Sequence, residues 1–168
     1  MVKGKRVVVV GGGDAAAENA LLLSEHAERV LLVHRRNRLT ARKEFQDRIF
    51  STPNIELVLE SEIARIGGTD RIKWVDIKSR IGDRSRIEAE YLIARIGVTP
   101  NTEVLNSQLA TDSQGYILVD QLGKTNIEGV YAIGDVANPI SPTIATAVGM
   151  GATAAKSAFS LLASSKTV

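Results

Sequence analysis

The hydrophobic positions in the first third of the chain change from a strand-like run to a helical face and back. Lys5–Val10 holds four consecutive valines, which predict a buried strand ended by Gly11–Gly13. Asp14–Glu28 predicts a helix, because its alanines and leucines recur at helical spacing and its glutamates lie opposite them. Arg29–His34 predicts a second buried strand. Together they indicate a βαβ unit, whose two strands are parallel.

The middle of the chain predicts one short helix and a β-meander. The helix covers Arg42–Phe50 and ends at a Ser-Thr-Pro-Asn turn. Glycine turns at Gly67-Gly68 and Gly82-Asp83 mark the hairpins of the meander. The predicted strands are Ile55–Glu60, Ile72–Ser79 and Arg86–Ile93.

The last third predicts a smaller set of elements after a loop at Gly97–Asn101. Two short strands are expected at Gly115–Val119 and Gly129–Ile133. A long helix is expected over Ser141–Leu162, with Ser141 as its N-cap and proline at its first position. The chain as a whole therefore predicts an α/β fold.

Composition excludes several kinds of chemistry. The chain has 168 residues, a length that suits one domain or one domain with part of another. Of these residues 44% are hydrophobic and 24% charged, which is typical of a folded globular protein. The chain contains no cysteine. A disulfide framework, a cysteine-ligated metal and a thiol nucleophile within these residues are therefore excluded. We expect no metal site.

The charge is concentrated at one place. Lysine and arginine number 21 against 19 acidic residues, for a net charge of +2. The basic excess centres on a cluster that contains no aromatic residue, formed by Arg35, Arg36, Arg38, Arg42 and Lys43. Such a cluster favours one small anionic ligand over a long phosphate backbone. A basic nucleic-acid-binding domain is therefore the weakest interpretation.

No part of the sequence predicts a membrane protein. Met1–Arg6 is basic but leads directly into a strand, without the apolar stretch of a signal peptide. Thr143–Ala163 is apolar and long, but it is built from small residues and contains Lys156, which favours a buried helix. We expect a cytoplasmic protein.

A glycine-rich motif follows the first strand and opens the first helix. Gly11, Gly13 and Ala16 form G-x-G-x-x-A. In this motif the first glycine allows a tight turn, the second lets backbone approach a pyrophosphate, and the small third residue lets helix pack on strand. The strand and helix around the motif are the context that it requires. The sequence therefore predicts dinucleotide binding rather than a plain glycine turn.

The residues at the end of the second strand indicate which of the two nicotinamide dinucleotides is bound. An acidic residue there would bind the ribose 2′-hydroxyl of NAD. This chain instead has His34, Arg35 and Arg36. Guanidinium groups bind a 2′-phosphate through paired, charge-assisted hydrogen bonds. The expected cofactor is therefore NADP.

Three segments of the chain resemble the thioredoxin reductase family of NADPH-dependent flavoproteins. VVVVGGGDAAAENALLLSEHAERVLLVHRR is similar to the signature of the family's NADPH domain. IGVTPNTEVL is similar to the loop that leaves that domain, and QGYILVDQLGKTNIEGVYAIGDVA to the C-terminal flavin segment. The resemblance implies a Rossmann-like NADP-binding domain over residues 1–98 and part of an FAD-binding domain over residues 99–168.

The resemblance and the motif together give a set of candidate cofactor-binding residues. Asp135 would contact the pyrophosphate–ribityl region of FAD, and the last helix would point its N-terminus at the flavin. We expect no catalytic side chain, because hydride transfer from NADPH to flavin uses the cofactors' own chemistry. We expect His34 to have a positioning role and no catalytic one. The candidates are Gly11, Gly12, Gly13, Asp14, Ala15, Ala16, His34, Arg35, Arg36, Arg38, Arg42, Gly97, Gly134, Asp135, Thr143 and Ile144.

The chain also departs from the family pattern. The family's N-terminal FAD half and its C-x-x-C are absent from these residues. Thr40 stands where the family has a further arginine, and either Arg38 or Arg42 could substitute. Arg95 stands where the family has an apolar residue. The family's Arg-Gln-Ala beside the flavin aligns with Pro142, Thr143 and Ile144 in this chain, which indicates a relative of thioredoxin reductase more than the enzyme itself.

The sequence leaves the biological role between two readings. The first is a fragment or split subunit of a thioredoxin reductase-like flavoprotein, which passes electrons from NADPH through FAD to a disulfide or another acceptor. The second is a free-standing NADP-binding module or sensor without turnover. We expect the isolated chain to be inactive, to form a homodimer, and in the first case to need a chain that supplies the missing FAD half.

Overall fold

The fold is described by a computed structural model over residues 2–105 and 108–164. The chain divides after Gly97 into two compact units. Within the described residues, every named strand lies in the first unit. The two units differ in kind, since the second is built from turns, short 3-10 helices and one long helix.

A four-stranded parallel sheet forms the centre of the first unit. Its order is β3 (Ile55–Val58), β2 (Arg29–Val33), β1 (Arg6–Val10) and β7 (Tyr91–Ala94). Val8 of β1 pairs with Leu31 of β2 and Leu92 of β7. Successive residues of β1 are buried on both faces, as in parallel sheets covered on two sides. The run of valines therefore encodes the central strand.

Two helices, α1 (Asp14–Ser24) and α2 (Lys43–Ser51), pack together on one face of this sheet. The buried face of α1 carries three alanines and Leu21, and α2 contributes Ile49. Alanine adds little beyond its Cβ, so α1 approaches the strands closely. The core that results includes Val7, Val9, Ala16, Ala17, Ala20, Leu21, Val30, Leu32 and Ile49.

A three-stranded antiparallel meander covers the opposite face. It consists of β4 (Ser61–Gly67), β5 (Trp74–Ser79) and β6 (Arg84–Glu88). Val75 and Ile77 of β5 are fully or almost fully buried against the parallel sheet. The predicted α/β class, with a βαβ unit and a meander, is confirmed.

The strand assignments within the meander were partly wrong. Ile55–Glu60 was predicted as its first strand, but β3 is the edge of the parallel sheet, and β4 is the strand that was missed. A register shift between Ile63 and Arg65 interrupts the alternation of β4, which explains the weak signal.

The predicted strand Arg86–Ile93 is two strands in two sheets. The chain crosses between them at Ala89 and Glu90. The Ala89 amide donates to Lys73 O beside β5, and the next amide, that of Glu90, donates to Arg6 O in β1. The crossing takes only two residues, so no break in hydropathy announces it.

The second unit contains turns where strands were predicted. Gly115–Val119 and Gly129–Ile133 form isolated bridges, Thr111 to Ile117 and Lys124 to Tyr131, and no ladder among the described residues. Asp112 and Asp120 explain this result. Each carboxylate accepts backbone N–H groups two and four residues further on, which holds the backbone in turns instead of strands.

The last helix, α3, covers Ile144–Ser164 and begins later than predicted. Ser141 is therefore not its N-cap. Thr143 takes that role, because its Oγ1 accepts the Thr146 N–H at 3.2 Å and its carbonyl accepts the Ala147 N–H at 3.0 Å. Among the described residues, no helix combines the length and apolar character needed to cross a membrane.

Candidate functional site

The first glycine of the motif lies where no side chain fits. Gly11 has a φ of +144°, and a Cβ there would lie 2.3 Å from the Arg95 carbonyl oxygen. The same Cβ would lie 2.9 Å from Cβ of Ala16 on α1. The contact also explains the small third residue of the motif, because α1 packs against the strand end at this point.

The N-terminus of α1 leaves backbone donors free. Gly13 is the N-cap, and its carbonyl accepts the N–H groups of Ala16 and Ala17 at 3.0 and 3.1 Å. Within the described residues, the N–H groups of Gly13, Asp14 and Ala15 donate no hydrogen bond. Free amides at a helix N-terminus form a site for a phosphate or another anion.

His34 lies under the glycine-rich loop. Its residue is 8% exposed, and a Cβ at Gly12 would lie 2.3 Å from its Nδ1 and Cε1 atoms. Nε2 is buried and has no hydrogen-bond partner in the described chain. Burial lowers the pKa of His34, and the charges of Arg36 and Arg35 lower it further, against a backbone hydrogen bond with Arg38. His34 is therefore a neutral packing group at neutral pH.

The arginine cluster lies in the segment that follows β2, residues 35–42, which we call the arginine segment. Arg35, Arg36 and Arg38 are exposed, and within the described residues none of them forms an ion pair. Their guanidinium groups are therefore available to an anionic ligand. The segment is held to the glycine-rich loop, as the next contacts show.

Two sets of hydrogen bonds join the arginine segment to the glycine-rich loop. The Gly12 carbonyl accepts the N–H of Thr40 at 2.7 Å, the N–H of Ala41 at 2.9 Å and the Thr40 hydroxyl at 3.1 Å. The Asp14 carboxylate accepts the backbone N–H of Arg42 at 2.7 Å and its Nε–H at 2.8 Å. These bonds, chiefly the one from the Arg42 backbone, lower the pKa of Asp14.

Sequence reasoning missed these hydrogen bonds, although it singled out most of their residues. Thr40 stood out only as a departure from the family's arginine, and Arg42 only as a member of the basic cluster and a candidate to bind the cofactor in place of that arginine. The partners lie 28 residues apart, so no local spacing signals them. One clue was available: Thr40 stands where the family has an arginine, and Arg42 lies only two residues further on.

Arg95 contributes through its backbone. Its N–H donates to Val10 O at 2.7 Å and its carbonyl faces Gly11, while the side chain is exposed. The side-chain type at this position is therefore free to vary. Gly97 has a φ of +101° and an exposed surface, with no atom within 4 Å of an added Cβ.

The remaining candidates lie in the second unit. Gly134 has a φ of +72° and opens a 3-10 turn over Gly134–Val136. A Cβ at Gly134 would lie 3.4 Å from Ala147 Cβ, so this turn packs against the first turns of α3. Asp135 is exposed, and its carboxylate accepts no hydrogen bond from the described residues. Thr143 caps α3, and Ile144 begins it with 86% exposure.

Among the residues that the structure describes, no three His, Asp or Glu side chains come together as ligands for a metal ion.

The fold and the glycine-rich loop define a Rossmann-type α/β fold with a parallel sheet, an antiparallel sheet and a C-terminal helix. The family model "Pyridine nucleotide-disulphide oxidoreductase" matches residues 1–151. The chain belongs to the pyridine nucleotide-disulphide oxidoreductase family, and within it the chain is thioredoxin reductase-like.

Curated relatives and solved structures agree on this placement. The chain is 42% identical over 155 residues to thioredoxin reductase of Dictyostelium discoideum, which covers 91% of this chain and 49% of that protein. It is 39% identical over 163 residues to thioredoxin reductase of Streptomyces clavuligerus, covering 96% and 51%. The crystal structure of Lactococcus lactis thioredoxin reductase matches with a TM-score of 0.80 at 33% identity, over 96% of this chain and 54% of that one. The chain thus spans about half the length of the relatives it matches.

Proposed function

We propose that this chain is the NADPH-binding part of a thioredoxin reductase-like flavoprotein, with residues 1–98 as the NADP-binding domain. The observation that carries the proposal is the joining of two anion-binding features in one place. Free amides at the start of α1 suit the pyrophosphate, and the unpaired guanidinium groups of Arg35, Arg36 and Arg38 suit the 2′-phosphate. Gly12 and Thr40, bonded to each other, bring these features side by side.

A charge reversal tests the 2′-phosphate assignment. Arg35→Glu with Arg36→Glu should weaken NADPH binding by at least about ten-fold, since each charged hydrogen bond contributes on the order of 1.5–3 kcal/mol. NADH lacks the 2′-phosphate, so its affinity should change far less. Isothermal titration calorimetry measures both.

A matched control separates the site from overall charge. Arg71→Glu with Lys73→Glu makes the same charge change at exposed residues before β5, and it should leave both affinities nearly unchanged. Equal losses for NADPH and NADH in the Arg35 and Arg36 variant would contradict the NADP assignment.

We also propose that residues 99–168 form the C-terminal part of an FAD-binding domain. FAD, when bound, would accept a hydride from NADPH and pass electrons to a disulfide or another acceptor. The free Asp135 carboxylate and the exposed start of α3 at Ile144 are the groups that would hold FAD. Mixing the purified chain with FAD and recording flavin absorbance after gel filtration tests this half. A yellow protein contradicts a free-standing NADP-binding module, and a colourless protein shows that this chain alone does not hold FAD.

The proposed assembly follows from the surface of α3. Apolar side chains are strongly exposed along this helix, namely Ile144 (86%), Val148 (67%), Phe159 (73%) and Leu162 (65%). Exposed apolar faces of this kind are covered in an assembled protein. We propose that a segment supplying the other FAD half, or a second copy in a homodimer, covers α3. Sedimentation equilibrium distinguishes a dimer from a monomer.

A further inference from the structure

Two arginines compete for the place of the family arginine that Thr40 replaces, and their environments differ. The Arg42 guanidinium is held on two sides. Its Nε donates to Asp14 Oδ2 at 2.8 Å, and its Cζ lies 4.9 Å from the ring centroid of Phe45. Arg38 is exposed and forms no ion pair within the described residues. Only Arg38 therefore keeps its guanidinium free.

The hydrogen bonds between Arg42 and Asp14 connect the arginine segment with the glycine-rich loop. Asp14 is the first residue of α1, beside the free amides that suit a pyrophosphate. Arg42 is the N-cap of α2 and ends the arginine segment. Both carboxylate oxygens of Asp14 are used, one by the Arg42 backbone and one by its side chain. The contact therefore fixes the position of Arg42 relative to Asp14 and pairs the charge of the carboxylate with that of the guanidinium.

We propose that Asp14 and Arg42 form a latch that holds the arginine segment at a set distance from the glycine-rich loop. Arg42 is then a positioning residue, and Arg38 is the third guanidinium that contacts the 2′-phosphate. The proposal rests on the NADPH-binding role proposed above. It assigns different tasks to two arginines that the sequence left interchangeable.

The latch matters only to ligands that touch both loops. Adenosine 2′,5′-bisphosphate carries one phosphate for each loop, so it gains from loops that are already correctly spaced. ADP engages the glycine-rich loop alone, and adenosine 2′-monophosphate engages the arginine segment alone. Arg42 also neutralises the Asp14 carboxylate, which would otherwise repel a pyrophosphate.

The experiment removes the latch at constant net charge. In the Asp14→Ala, Arg42→Ala double variant of the full chain, one negative and one positive group are lost together. Affinity for adenosine 2′,5′-bisphosphate should fall about two- to five-fold, the range of an exposed ion pair. Affinities for ADP and for adenosine 2′-monophosphate should stay at the values of the unaltered chain. Calorimetry with all three ligands gives the comparison.

Two further variants make the assignment sharp. Arg38→Ala should weaken adenosine 2′-monophosphate and the bisphosphate alike, by about ten-fold. Lys78→Ala removes an exposed charge from β5, outside the arginine cluster, and should change neither.

Two outcomes overturn the latch alone: a double variant that loses adenosine 2′-monophosphate as strongly as the bisphosphate, or one that binds all three ligands unchanged. An unaltered chain that binds the bisphosphate no better than ADP overturns the NADPH-binding role itself, and the latch with it.

Discussion

The imidazole of His34 lies directly beneath the backbone of Gly12, although the two residues are 22 positions apart. A Cβ at Gly12 would lie 2.3 Å from two ring atoms, closer than any real contact. The φ of Gly12 is not in the left-handed region, so backbone conformation does not require glycine here. The ring of His34 does.

This contact predicts a steric penalty that depends on His34. Gly12→Ala should lower the free energy of unfolding by about 1–3 kcal/mol, the usual cost of overpacking. In a His34→Ala background the ring is gone, and the same substitution should cost less than half as much. Urea denaturation of the four proteins gives the double-mutant cycle, and additive effects would show that ring and loop do not touch.

The burial of His34 predicts a pH dependence of stability. The pKa of His34 is lowered from its usual value near 6.5, chiefly by burial and next by Arg36. The folded state therefore resists protonation that the unfolded chain accepts. The stabilisation is complete above about pH 6.5 and is lost as the pH falls through the lower, folded pKa.

The measurement compares the free energy of unfolding at pH 7 and pH 5. It should fall in the unaltered protein and fall less in His34→Asn, which does not titrate. His26 is exposed on the surface beyond α1, and His26→Asn provides the matched control that should keep the full dependence. A dependence that survives in His34→Asn would assign the effect to other groups.

The cap of α3 predicts a local effect in the second unit. Thr143→Ala removes the acceptor of the Thr146 N–H and should destabilise the first turn by about 1 kcal/mol. Hydrogen exchange of the Thr146 and Ala147 amides should accelerate. Thr153→Ala is the control within the same helix, because the Thr153 hydroxyl donates back to the Gly149 carbonyl and caps nothing. Equal acceleration in both variants would argue against the cap.

Local signals were enough to predict the centre of the first unit. The valines of β1 and the motif that follows it lie next to each other in the sequence, and each element is defined by its own periodicity. The role of Ala16 was also predictable, since the small third residue of the motif has a known packing reason.

Features that depend on distant partners were not predictable. Asp14 and Arg42 meet across 28 residues, and nothing near either one signals the other. β4 was missed because a shift between Ile63 and Arg65 breaks the period of two that marks a strand. In the second unit, strands were predicted from runs of apolar residues, but the Asp112 carboxylate accepts backbone N–H groups two and four residues further on and holds the backbone in a turn.

The single tryptophan of the chain predicts a spectroscopic reporter of the meander. Trp74 on β5 lies under the guanidinium of Arg86, with Cζ 3.6 Å from the ring centroid, and Arg65 stands farther off at 5.5 Å. Two hydrogen bonds to Asp76, at 2.8 and 3.0 Å, fix Arg86 in this position. A cation over an indole face alters the environment that its emission reports.

Arg86→Ala should therefore shift the emission maximum of Trp74 in the folded protein, and Asp76→Ala should produce part of that shift by freeing Arg86. Arg84→Ala removes the same charge from the same strand, without a stacking contact to Trp74 in the described residues, and should leave the emission unchanged. The Arg86–Asp76 pair is partly exposed, so the midpoint of urea denaturation should move little in any of the three variants. A shift in Arg84→Ala equal to that in Arg86→Ala would mean that Trp74 senses the overall charge of the meander and not the stacked guanidinium.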